Sequence, residues 1–300
     1  MGSISRRAFI AATSAFAGTL ALTGLARAQS RESAFLKADV DAGKLPGVAE
    51  RLPVNPLVVT PLERVGQQGG DWKHALVGGG SLSMLVRYQG YEPLVRFTPD
   101  WSGITENVAA SYAVNPEATE YTITLRKGHK WSDGQPFTTA DVQFWYDAYF
   151  TDAETSLGGN AWWSAGGEKA KLEVVDEQTF KVVFAKPNGF FLQQLAWAQQ
   201  DQLTRTPKHY LEQFHLRYNP EADALAKAQG LESWIALFQR EIGMADDNTF
   251  FQNPSRPTLN AWMFAVAPGS SMSNSFPASG SEKLPWHGFE QRASRANGPC

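Results

Sequence analysis

Three tryptophans stand where flat aromatic faces could meet a ligand. Trp162 and Trp163 lie in a loop with Gly158-Gly159-Asn160 before them and Gly166-Gly167 after, and Trp197 follows an apolar helix expected over Phe190–Ala196. Indole faces stack on the axial C–H groups of sugar rings, so this set favours recognition of an oligosaccharide. The plainer alternative for any tryptophan, Trp72 and Trp101 included, is burial in a core, to which it contributes a large apolar area. Glycine-rich flanks make a core role less natural for the Trp162–Trp163 pair, and loops carry much of a protein's binding chemistry. Gly78-Gly79-Gly80, after Ala75-Leu76-Val77, offers backbone amides that could approach a ligand, with Gly79 and Gly80 as the candidate contacts. It lacks the Gly-Lys-Ser/Thr ending of a phosphate loop, which argues against nucleotide binding.

Reactive constellations are scarce. The histidines are His74, His129, His209, His215 and His287, and no two have the i, i+4 spacing of a helical metal site. The single cysteine, Cys300, allows neither a thiolate cluster nor an intrachain disulfide. No Gly-x-Ser-x-Gly elbow and no Gly-x-Gly-x-x-Gly loop occurs. Neither a catalytic residue nor a metal ligand is assigned, and no cofactor is expected. Carboxylate pairs for glycoside hydrolysis are defined by distance in space, so an exported carbohydrate-active enzyme stays as the rival class.

The elements that would position these residues read as a mixture of hairpins and separate helices, hence mixed α/β (α+β). Tyr121–Leu125 alternates apolar and polar residues, the period of a half-buried strand. Thr138 with Asp141 three residues on is a capping-box pattern, opening a helix with Val142, Trp145, Tyr146 and Tyr149 on one stripe. Leu172–Val175, the turn Asp176-Glu177-Gln178 and Thr179–Phe184 form an expected hairpin. Thr206-Pro207 and Asn219-Pro220 each place a capping residue before a proline suited to the first helical position. Leu231–Ile242 spaces Trp234, Leu237, Phe238 and Glu241 as an amphipathic helix. Residues 29–70 read instead as a polar approach in which Pro46, Pro53, Pro56 and Pro61 keep interrupting any helix.

The N-terminus carries Ser5-Arg6-Arg7-Ala8-Phe9-Ile10, a weakly apolar stretch from Ala11 to Leu25, and Ala26-Arg27-Ala28. Paired Arg6 and Arg7 before a short apolar region and a small-x-small cleavage site make a twin-arginine (Tat) signal peptide, so the mature chain is expected to begin near Gln29, in the periplasm. A membrane anchor would need about 20 consecutive apolar residues. The full chain has 27 basic and 30 acidic residues, net −3, and loss of Arg6, Arg7 and Arg27 with the leader makes it more acidic. Such a balance carries no electrostatic footprint for nucleic acid.

Residues 125–142, Leu-Arg-Lys-Gly-His-Lys-Trp-Ser-Asp-Gly-Gln-Pro-Phe-Thr-Thr-Ala-Asp-Val, resemble the signature of family 5 extracellular solute-binding proteins, the peptide, nickel and oligosaccharide receptors of ABC importers. Tyr91–Phe97, Val108–Tyr112, Val174–Val182, Pro207–Glu212 and Pro257–Trp262 match further landmarks of that family in its order. The signature itself reads as structural: Asp133-Gly134 makes a tight turn, Pro136 stiffens its exit, Thr138 caps the helix and Trp131 packs beneath. The resemblance implies a periplasmic-binding-protein-like type II fold, capture of a solute between two lobes and delivery to an ABC permease in the inner membrane, with the Tat translocase as partner during export. Pro257–Trp262 resembles the oligosaccharide-type and larger peptide-type members most, which tips the reading toward sugars.

The expected organisation is residues 1–28 as signal peptide, 29–70 as extended approach, 71–267 as the first lobe, and 268–300 as a Ser/Gly/Pro-rich tail unlike the family. A frameshift or truncation near residue 267 would explain that tail. On this reading only one wall of the cleft is present and binding is impaired, or the product is a non-functional fragment.

Overall fold

The computed structural model describes residue 32 and residues 36–58, 91–156, 161–197, 201–243, 253 and 255–260. They fall into two compact units. The smaller holds the described residues up to Arg51 together with Val58, and the larger holds Leu52–Leu57 and those from Tyr91 onward.

In the smaller unit two short helices form, α1 (Lys37–Asp41) and α2 (Val48–Arg51). This corrects the expectation that prolines abolish helix over residues 29–70. A proline disfavours helical geometry only for the residue before it, and the spacing between Pro46 and Pro53 leaves room for a single turn. Arg51 is buried, donates from Nε to the Pro46 carbonyl at 2.9 Å and pairs with Glu32.

The larger unit opens with the hairpin β1 (Val95–Phe97) and β2 (Ile104–Glu106), then β3 (Ala109–Val114) and β4 (Glu120–Leu125). Helix α3 (Thr139–Trp145) follows and runs into a wider, π-helical turn at Tyr146–Phe150. A small hairpin, β5 (Ser164–Ala165) and β6 (Glu168–Lys169), precedes β7 (Lys171–Val174) and β8 (Thr179–Val183). Four strands form one antiparallel sheet in the order β3-β4-β8-β7, with a register shift between Ala109 and Ser111. Among the described residues, four further α-helices follow: α4 (Phe191–Leu195), α5 (Lys208–Leu211), α6 (Ala222–Ala228) and α7 (Trp234–Ile242).

The alternation in β4 does what its period requires. Tyr121, Ile123 and Leu125 are buried, while Glu120, Thr122 and Thr124 are partly exposed. Burying each of the two aliphatic side chains contributes roughly 2 kcal/mol. Gly134 sits at φ 88°, where only glycine is comfortable, and its N–H donates to the Trp131 carbonyl at 2.9 Å. Trp131 is fully buried beneath that turn, edge-on to Phe137 with ring centres 5.3 Å apart.

Both halves of the capping box at Thr138 form. The hydroxyl accepts from Ala140 N–H at 3.2 Å and the Asp141 carboxylate accepts from Thr138 N–H at 2.9 Å. Its other oxygen accepts from Lys208 N–H at 2.9 Å and so caps α5 as well. That corrects the assignment of Thr206 as cap and Pro207 as first helical residue. Pro207 stays extended (ψ 105°), and the Thr206 hydroxyl donates to the Gln202 carbonyl at 2.7 Å. The Asn219-Pro220 assignment is corrected likewise: α6 begins at Ala222 with Glu221 before it and no side-chain cap, and the Asn219 side chain accepts from Glu221 N–H at 3.0 Å in the turn that leads into the helix. Helix α7 starts at Trp234, later than Leu231, because the Ser233 hydroxyl accepts from Ala236 N–H and Asp223 takes the Trp234 N–H. Gly243 closes it with left-handed φ 61°.

The segment from residue 255 is tied back to this body. Buried Arg256 donates to the carbonyls of Glu241 at 2.6 Å, Ile242 at 2.9 Å and Arg205, bonding the last turn of α7. Burial, with Arg205 close by, pulls its guanidinium down to about 9. Ser132 and Thr258 exchange two bonds of 3.0 Å, joining this segment to the Asp133-Gly134 turn.

Candidate functional site

Helix α4 carries the candidate ligand-facing surface, and its position is set from three sides. Phe191 and Leu195 point inward and are buried. Phe191 meets Trp163 edge-on at 5.0 Å, and Trp163 packs against Trp145 at 4.8 Å and Phe150 at 5.9 Å. The π-helical turn makes this cluster possible. It places Trp145 and Phe150 so that their rings stack at 5.1 Å and 11°.

Asn188 fixes the start of the helix. Its N–H donates to the Ala118 carbonyl at 2.9 Å, its own carbonyl accepts from the Tyr121 hydroxyl at 2.5 Å, and its side-chain amide donates to the Trp162 carbonyl at 3.0 Å. Tyr91 fixes the end of α4, its hydroxyl donating to the Ala196 carbonyl. The Tyr91 ring lies under the Arg96 guanidinium at 4.9 Å, and Arg96 pairs with buried Glu92 at 2.9 Å. Glu92 accepts from Asn107 at 3.0 Å. Burial raises the Glu92 carboxyl above its usual range, against the opposing pull of Arg96 and Asn107. Burial likewise raises the Tyr91 phenol, so this hydroxyl keeps its proton and remains a donor at neutral pH.

The tryptophans expected to share one role separate. Trp162 is 47 % exposed and Trp163 only 3 % exposed. Residues Ala161–Trp163 form one turn of 3₁₀ helix, which rotates consecutive side chains by about a third of a turn, so both rings cannot face the same way. Trp163 went to the core despite its glycine-rich flanks, because Trp145, Phe150 and Phe191 surround it. Trp197 is 54 % exposed, just past the C-terminal end of α4. Trp162 and Trp197 thus flank α4 at its two ends. Trp101 is exposed at the tip of the β1–β2 hairpin with φ 59°, stacked on Phe97 at 4.9 Å, its N–H donating to the Thr98 carbonyl at 2.9 Å. Gly79 and Gly80, Trp72, the signal motif Arg6 and Arg7, and the tail from 268 lie outside the described residues.

Sequence reasoning missed Phe190, which it assigned to the apolar helix. Its side chain is 72 % exposed, and Gln193 beside it is exposed too. The available signal was the i, i+3, i+7 spacing of Phe190, Gln193 and Trp197, which shares one helical face. Among the described residues no group of three or more His, Cys, Asp or Glu side chains could hold a metal ion, and no helix is long and apolar enough to cross a membrane.

Among the described residues, the exposed side chains of this surface include aromatic rings and an amide. Its wider frame matches a known family: residues 103–252, half of the chain, fit the sequence model for bacterial extracellular solute-binding proteins, family 5 Middle. The chain belongs to family 5 of these solute-binding proteins. A relative of this family-5 chain is the periplasmic alpha-galactoside-binding protein of Rhizobium meliloti (strain 1021), 28 % identical over 198 residues, which cover 60 % of this chain and 28 % of that protein. Among solved structures, an oligopeptide-binding protein OppA superimposes with a TM-score of 0.75 at 30 % identity, covering 87 % of this chain and 38 % of the other. The binding protein MelB of Agrobacterium fabrum C58, solved with stachyose, has a TM-score of 0.51 at 20 % identity, covering 85 % and 37 %. The mixed α/β, type II periplasmic-binding fold is therefore present, and the chain spans less than two fifths of each relative's length. These proteins are named for binding and not for catalysis.

Proposed function

We propose that this chain is the solute-capturing component of an ABC importer, exported by the Tat translocase to the periplasm, where it takes up an oligosaccharide or a peptide and presents it to the permease in the inner membrane. The observation that carries this reading is the exposed aromatic surface on α4, with Trp162 and Trp197 at its ends, in a chain of family 5. Large exposed aromatic faces held by a rigid frame are suited to binding, because little side-chain freedom is lost on contact. Both solute classes are represented among its relatives, one named for alpha-galactosides and one for oligopeptides. Glycines Gly79 and Gly80 belong to the same proposal as backbone contacts.

Capture is an equilibrium shift. A solute that prefers the folded, closed form raises its population, and the permease reads that form. The test is thermal unfolding of the full chain with millimolar panels of oligosaccharides, short peptides and nickel. At one hundred times its Kd, a ligand stabilises the folded state by about 2.7 kcal/mol. A rise in the midpoint with sugars or peptides is expected. A midpoint that no solute moves would refute the reading.

A further inference from the structure

Resting on the solute-binding reading above, we infer that the outer face of α4 is a subsite for an uncharged oligosaccharide, built from Phe190, Gln193 and Trp197. The three residues sit at i, i+3 and i+7 on one side of the helix, and all three are exposed. Phe190 directly precedes α4 and Trp197 lies two residues past its end, a seven-residue step of about 10 Å at helical rise. That is farther than one pyranose reaches, so a chain of sugar units is needed to touch both rings.

Three observations point to this occupant. First, residues 188–197 and 161–165 contain no charged residue, and Arg96, over the Tyr91 ring that holds the end of α4, is already paired with Glu92 at 2.9 Å. Second, the backbone at the C-terminal end of α4 is paired. Gln194, Ala196 and Trp197 donate to the carbonyls of Phe190, Leu192 and Gln194, and the Ala196 carbonyl accepts from Tyr91. An extended peptide that adds a strand binds through the main-chain groups of a sheet edge, and α4, a helix, presents no such edge. Third, what remains is two aromatic faces with a primary amide between them. Gln193 makes no hydrogen bond among the described residues, so both its N–H donors and its carbonyl oxygen are free for hydroxyls. Alternating ring faces and hydroxyl partners complement a neutral sugar chain, which alternates C–H faces with hydroxyl edges.

The full chain is titrated by calorimetry and tryptophan fluorescence with maltotriose, raffinose and stachyose, and separately with trialanine and trilysine. A neutral oligosaccharide is expected to bind, and Phe190→Ala, Gln193→Ala and Trp197→Ala each to weaken it about tenfold. Trp197→Phe should keep most of the affinity and lose the ligand-induced fluorescence change. All three positions are exposed on the described surface, so unfolding midpoints of the four variants without ligand should match the parent and separate lost contact from lost fold. Binding of a tripeptide but of no sugar overturns this inference and leaves the solute-binding reading standing. Sugar binding that none of the variants weakens places the sugar elsewhere and overturns the subsite. Binding of neither class overturns both.

Discussion

Asp141 is the side chain whose loss should be felt most widely for its size. It is almost fully buried, and its two oxygens serve the starts of two helices, through Thr138 N–H and Lys208 N–H, each at 2.9 Å. Replacing it with alanine strands both main-chain donors. Each lost cap costs about 1–1.5 kcal/mol. Loss of the negative charge at two helix N-termini costs a further ~0.5 kcal/mol. Asp141→Ala should therefore destabilise the fold by about 3 kcal/mol. Asp141→Asn keeps the shape and one acceptor, and should cost roughly half as much. Urea unfolding of the full chain, followed by tryptophan emission, should give midpoints in the order parent, asparagine, alanine, with an unchanged m-value. Burial raises the Asp141 carboxyl, against the pull of the Thr138 and Lys208 N–H groups and the Trp131 side chain. An acid whose folded pKa lies above its unfolded one takes up its proton first in the folded state. The parent should thus gain on Asp141→Asn as the pH falls from the raised value toward the ordinary carboxylate range. An alanine variant within 0.5 kcal/mol of the parent, on the order of a neutral surface change, would refute the double-cap reasoning.

Two further outcomes follow from the same structure. His215 is buried among Tyr218, Trp234 and Phe238, and burial lowers its pKa, opposed by Asp152 at 3.9 Å and assisted by Arg217. The unfolded imidazole protonates first as the pH drops below about 6.5, so stability should fall there by at most about 1.4 kcal/mol per pH unit. His215→Phe should flatten that slope in unfolding curves between pH 7 and 5, and an unaltered slope would assign the titration to other groups. Trp163→Ala should cost about 3–5 kcal/mol by opening a cavity among Trp145, Phe150 and Phe191, whereas Trp162→Ala should stay within about 1 kcal/mol. The reverse order in denaturant melts would exchange the roles of the two rings.

What was legible in the sequence was whatever a local rule decides. The β4 alternation, the Asp133-Gly134 turn, the Thr138 capping box and the β7–β8 hairpin each depend on residues a few positions apart, and each formed. The failures came where distant residues settle the matter. Thr206 looked like a cap until Asp141, 67 positions from Lys208 in sequence, supplied the acceptor. Trp163 looked exposed because its glycine neighbours are local, while the rings that enclose it come from α3, the π-helical turn and α4. Phe190 looked like part of the apolar helix because it precedes an apolar run, and only its i, i+3, i+7 spacing with Gln193 and Trp197 marked it as outward.

The two aromatic doublets, Trp162-Trp163 and Phe190-Phe191, explain how a core can build the proposed binding surface. Successive residues of a helical turn point in directions about 100–120° apart, so a doublet must send one ring inward and the other out. Trp163 and Phe191 are the inward rings, and they meet at 5.0 Å. Their contact fixes the two backbones against each other, and the Asn188 amide bonded to the Trp162 carbonyl locks the same pair of segments. Trp162 and Phe190 are the outward rings, and both are exposed. The rigidity that a ligand-facing aromatic needs is supplied by its neighbour in sequence. Substitutions at Trp163 or Phe191 should therefore disturb solute binding through position, even though neither ring is exposed to a solute.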